Sequence, residues 1–133
     1  MRTDRLVWYG AAVAVLTVAA HIACWLVGGY GAIPFVDVPL HAAGGFAVGL
    51  LAMAWLRRRS DDALLQLVAL LGLVQAAAIA WECFEWGFDR AVGTGWQNTI
   101  ADTLKDLLVG TGGGAMAWGL VACRRRAWQL DDG

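Results

Sequence analysis

Charge is what the sequence has least of. Asp, Glu, Lys and Arg make up 16% of its 133 residues, against about 25% in soluble domains. Formal net charge is -1, which removes the basic surface that a nucleic-acid binder needs. There is no P-loop, no G-x-G-x-x-G between a strand and a helix, and no zinc-finger spacing, so nucleotide binding lacks its motifs as well. Cysteine is scarce too. Cys24, Cys83 and Cys123 are odd in number, have no metal-ligand spacing, and sit in apolar runs where cysteine usually serves as a small packing residue. Cys24 and Cys83 fall at similar depth, which leaves a disulfide between them open.

What the sequence has instead is apolar length. It is 59% hydrophobic with mean hydropathy +0.58, the signature of an integral membrane protein. Crossing a hydrocarbon core of about 30 Å takes about 20 apolar residues in a helix. Four such runs stand between charged punctuation, at about 6–30, 38–56, 63–85 and 102–123. The first is long for a cleaved signal peptide and reads as a span. The expectation is an all-α fold: one transmembrane domain over 1–133, a bundle of four helices. Its surroundings are then the lipid bilayer, with a second copy of the chain or another membrane protein as a further partner, and no nucleic acid.

With four spans, Arg2, Arg5, Arg57–Arg59 and Arg124–Arg126 fall on one side, and only Arg90 and Lys105 on the other. The positive-inside rule then predicts cytoplasmic N and C termini and an inner-membrane location. Tryptophans form two belts, Trp8, Trp55, Trp118 and Trp128 inward and Trp25, Trp81, Trp86 and Trp96 outward.

Each span carries a stripe of small or polar residues at spacing three or four, hence on one face. The second has Asp37, His41, Gly45 and Gly49; the fourth has Asp102, Asp106, Gly110 and Gly114. Both include small-x-x-x-small patterns that let helices approach closely in lipid. The first offers Gly10, Ala14, Thr17, His21, Cys24 and Gly28, and the third Gln75, Ala78, Glu82 and Glu85. With these faces inward, the five acids Asp37, Glu82, Glu85, Asp102 and Asp106 gather with His41 at the outer end, His21 and Gln75 deeper.

Asp37 and Asp102 open helices and are expected as N-caps. The glutamates of "WECFEW" (81–86) resist that reading. At the end of a span they meet the negative pole of the helix dipole, and at spacing three they repel each other. An acid at mid-membrane costs about 2.5–3.5 kcal/mol, less near the interface. Lys105, Arg90, a protonated histidine, a proton or a metal ion has to offset this.

Asp37-x3-His41, Trp81-Glu82-x2-Glu85-Trp86 and "ADTLKDLLVGTGGGA" (101–115) resemble the signature segments of the YjdF-like family of bacterial inner-membrane proteins, with a looser similarity to VanZ-like membrane proteins. The likeness covers about 37–115 and leaves the first helix outside. It implies a polytopic membrane protein in which Asp37, His41, Glu82, Glu85, Asp102 and Asp106 are signature positions, and it implies no reaction.

Carboxylates with one imidazole suit a divalent cation: Mg, Mn or Ca by the oxygens, Zn by the histidine. The ligands expected are His41, Glu82, Glu85 and Asp106, with Asp102 and Asp37 as outer partners or general base. The chemistry expected is hydrolysis of a lipid-linked or phosphorylated substrate. The alternatives are a structural or accessory membrane subunit and, third, a small ion-coupled transporter. The last has the size of the small multidrug-resistance transporters but no glutamate in its first helix, and its acids lie away from the midplane.

Overall fold

A computed structural model describes residues 3–94 and 99–131, except the side chains of 125–131. All regular structure in it is helical: α1 (Thr3–Leu26), α2 (Gly29–Ala32), α3 (Asp37–Leu56), α4 (Ala63–Val92) and α5 (Ile100–Asp131). α1, α3, α4 and the 100–124 part of α5 are each long and apolar enough to cross a membrane. Their outward residues are apolar, among them Leu16, Val68 and Leu108. Such a surface belongs in lipid, not water.

Two boundaries differ from the sequence expectation. The first run does not continue to Tyr30: Gly28 takes a left-handed φ of 71° and breaks it, and α2 follows as a separate turn. α4 does not stop at Glu85. It runs two turns further and ends where Gly93, with φ 73°, returns its N–H to the Asp89 carbonyl at 2.7 Å, a left-handed C-terminal cap. The start of α4 is equally well defined, since Asp62 Oδ1 accepts from the Leu64 and Leu65 amides at 2.9 and 3.0 Å.

α3 is the centre of the bundle. It packs along α5 and α1, while α4 packs against α5 and α3, and the backbones of α1 and α4 scarcely meet. α3 and α5 run in the same direction with their glycines in register. A Cβ on Gly45 would strike the Gly110 backbone, and one on Gly113 would strike the Ala42 carbonyl. Glycine is required here by close approach, as the small-residue stripes predict. The apolar core of Leu6, Leu50, Met53, Leu70, Val74 and Val121 fills the end of the bundle bearing Arg57–Arg59. The opposite end, where α3 and α5 begin, holds the buried His21, Glu82, Glu85 and Asp106 and is the site end, while Gln66 is buried at the arginine end.

The tryptophans follow the belts in part. Trp8, Trp55 and Trp86 are exposed and Trp25, Trp81 and Trp118 half-buried, while Trp96 and the side chain of Trp128 lie outside the described residues. All three cysteines are free thiols, so Cys24 and Cys83 form no disulfide.

Candidate functional site

At the site end α3 supplies Asp37 and His41, α4 supplies Trp81, Glu82 and Glu85, and α5 supplies Asp102, Lys105 and Asp106. α1 and α2 add His21 and Tyr30. All five acids and the histidine singled out in the sequence therefore come together, and the structure divides them into two groups.

Lys105 organises the first group. It is the only lysine in the sequence, and its Nζ stands 2.5 Å from Asp37 Oδ2, 2.6 Å from Asp102 Oδ1 and 3.5 Å from Asp106 Oδ1. These distances correct the capping expectation. Thr99 caps α5, its Oγ1 accepting from the Asp102 amide at 3.1 Å, which leaves the Asp102 carboxylate to bind Lys105. Asp37 is the first residue of α3; its Oδ1 takes the neighbouring Val38 amide at 3.0 Å and its Oδ2 takes Lys105. The lysine answers the three aspartates, not Glu82 as the sequence allowed. Arg90 is also elsewhere, lying over the Trp86 ring 5.4 Å from its centroid.

The second group surrounds the two histidines. His41 Nδ1 faces Glu82 Oε1 at 4.0 Å, and His41 Nε2 faces Asp106 Oδ2 at 3.7 Å. Asp106, 5% exposed, thus stands between the lysine and the imidazole. His21 Nε2 faces Glu85 Oε1 at 3.8 Å, and that oxygen accepts a 2.8 Å hydrogen bond from Trp81 Nε1. The glutamates three apart therefore turn to different histidines. The dipole penalty also falls away, because α4 continues beyond both of them and the effect is confined to the last turn.

Tyr30 and Trp81 are the members that sequence reasoning missed. Trp81 was assigned to the interface belt, yet its indole nitrogen holds Glu85 and its ring packs edge-on to His21 at 5.1 Å. Tyr30 looked like the last residue of a span; the Gly28 break turns it back so that its hydroxyl meets His21 Nδ1 at 2.5 Å. The paired Gly28-Gly29 just before it was the available signal. Burial, then the Cys24 thiol and the carboxylates of Glu85, Asp37 and Asp106, push the Tyr30 hydroxyl above the usual tyrosine range, so it stays a phenol and can donate.

This gives a prediction with a definite sign. Unfolded, Tyr30 ionises near the ordinary value of about 10, while the folded protein keeps the proton. The unfolded state then binds fewer protons, so stability is intact below about pH 10 and is lost as pH rises above it. Tyr30→Phe should flatten that alkaline loss in a melting series over about pH 8 to 11; an unchanged slope would place the titration elsewhere.

Gln75 lies deeper, as expected, and acts as a tie between helices: its Nε2 donates to Thr111 Oγ1, which donates on to the Leu107 carbonyl at 2.7 Å.

Two sets of three residues have donor atoms within 4.8 Å of one another: His41, Glu82 and Glu85, and Asp37, Asp102 and Asp106. Ligands on opposite sides of an ion, each at about 2.0–2.6 Å, stand about 4–5 Å apart, so both sets are within reach of a cation. The aspartate set already surrounds the Lys105 ammonium. The histidine–glutamate set offers one imidazole and two carboxylates, donors that suit a borderline divalent metal.

Four spans with a polar cluster buried at one end define a multi-pass membrane protein. The chain matches, over residues 4–127, the family described as predicted membrane protein (DUF2238), and it belongs to that family. The match takes in α1, which the motif resemblance left outside, and gives no support to the VanZ-like likeness. Neither a curated protein nor a solved structure matches the chain.

Proposed function

We propose that the site end is a divalent-metal site with hydrolytic chemistry toward a lipid-linked or phosphorylated substrate. The observation that carries this reading is the convergence of half-buried His41 with buried Glu82 and Glu85 from two helices, with donor atoms within 4.8 Å. Burying two carboxylates beside one imidazole is costly, and a divalent cation among them lowers that cost. A divalent ion held there would polarise a phosphoryl oxygen and make an attacking water more acidic. Trp81 fixes the Glu85 carboxylate, and Asp106 orients His41. Asp37 and Asp102, already engaged with Lys105, serve as outer partners that hold its ammonium toward an anionic group, in preference to acting as base. The YjdF-like resemblance belongs with this reading, because its signature positions are the residues gathered here. The arginine distribution further assigns the site end to the outside of the inner membrane and both termini to the cytoplasm.

The test is metal content and thermal stability of detergent-purified protein. Wild type should carry a divalent metal, and adding that metal at about 100 times its Kd should stabilise the protein by about 2.7 kcal/mol. Glu82→Gln and His41→Ala should lose both effects. An impermeant chelator applied to intact cells should strip the metal if the site faces outward. No metal, with both variants as stable as wild type, would sink the site reading and turn the search toward a docking partner.

A further inference from the structure

Two cavities meet at His41. One, of about 190 Å³, opens at the site end and is bordered by Tyr30, Lys105 and the carboxylates of Asp37, Glu85, Asp102 and Asp106. The other, of about 250 Å³, descends from His41 and His21 between α1 and α4, over Gly44 of α3. Its walls are Ala14, Thr17 and Val18 on one side and Val74, Ala77 and Ala78 on the other. At 1.5 Å per residue, the lining from Ala14 to His21 and from Val74 to Trp81 makes a groove about 11 Å tall, roughly a third of a hydrocarbon core.

From this we infer that the groove binds one acyl chain of a bilayer phospholipid, with the polar headgroup in the mouth beside His41. The inference rests on the proposed site and names its substrate class. Three observations carry it. First, the groove is a gap in the lipid-facing surface, because the α1 and α4 backbones do not close on each other, and it is continuous with the hydrocarbon around it. Second, its walls offer water little: the Thr17 hydroxyl is used by the Val13 carbonyl at 2.8 Å, and the polar groups collect at the top. Third, apolar groove and charged mouth share His41, which suits an amphiphile lying across the junction. The volume decides between occupants. It falls below the roughly 300–1,000 Å³ of small-molecule sites, and a helix about 10–12 Å across does not enter it. A stretch of one hydrocarbon chain does.

The full-length protein is reconstituted into vesicles of phosphatidylethanolamine and phosphatidylglycerol, a fraction of the latter carrying a mid-chain diazirine, and adducts are mapped after irradiation. Adducts should concentrate on residues 14–18 and 74–78 over the lipid-facing Leu104 and Leu108 of α5. A Cβ at Gly44 meets nothing within 4 Å, so Gly44→Leu fills the groove without a backbone clash. It should cut groove labelling roughly tenfold, the equivalent of about two buried methylenes, and leave α5 labelling unchanged. Ala78→Leu, on the opposite wall, repeats the test should the first variant melt early. Groove labelling equal to that of α5, or indifferent to both variants, overturns the inference. Metal content of the same samples separates the two readings: labelled groove without metal overturns the metal site alone, and bound metal with an unlabelled groove overturns the acyl-chain site alone.

Discussion

Lys105→Met should destabilise the protein by about 1–3 kcal/mol, between the small worth of exposed ion pairs and the larger cost of breaking buried ones. The intermediate value follows from exposure: the lysine side chain is 32% exposed, that of Asp106 only 6%. Methionine keeps the length and apolar stem of lysine and removes the charge, so the loss reports on electrostatics and not on a cavity. Its consequence extends beyond stability. Three carboxylates with oxygens within 4.8 Å of one another would be left without their ammonium, an oxygen-rich set suited to calcium or magnesium. Calcium should therefore restore the melting temperature of Lys105→Met, and should still do so when Glu82→Gln removes the histidine–glutamate set. A variant that melts with wild type and ignores calcium would mean that the ammonium does not hold the aspartates together.

Gly45→Val should be more damaging, costing about 3 kcal/mol or more, the upper end of what overpacking does. The Cβ of any residue at 45 runs into the Gly110 backbone, and backbone cannot swing aside as a side chain can. α3 and α5 would have to separate along their whole contact, which also moves Asp37 and His41 away from Asp106. Gly44 is the internal control. Its Cβ position is open, so Gly44→Ala should be neutral or gain about 0.5–1 kcal/mol from helix propensity. Melting curves and size-exclusion profiles of the two variants in one detergent make the comparison. Equal behaviour would show that the helices do not cross at these glycines.

The spans were legible because charges interrupt apolar runs, and the facing residues were legible because α3 and α5 repeat polar and small residues at helical spacing. What was hidden depended on single backbone conformations or on neighbours distant in sequence. Gly28 as a break and Gly93 as a stop are two choices among the chain's 17 glycines; the Gly28-Gly29 pair is a signal for the first, and nothing local marks Gly93 as left-handed. Glu82 and Glu85 suggested the water line, so α4 was read two turns short. Asp102 has the composition of a cap, yet Thr99, three residues earlier, takes that role. The pairing of Lys105 with Asp37 joins residues 68 apart in the chain, and no periodicity within one helix announces it.

The length of α4 has a consequence for where this protein can work. At 1.5 Å per residue its 30 residues measure about 45 Å, and the 20 of α3 about 30 Å. Neighbours so unequal cannot both match one bilayer, so α4 leans or protrudes and the surrounding leaflet adjusts its thickness. Glu82 lies about 29 Å along α4 from Ala63, at the rim of a core of about 30 Å. Longer lipid tails would draw that carboxylate below the headgroups, and shorter tails would leave it among them. Host membrane thickness thus sets how much water reaches His41 and its acids.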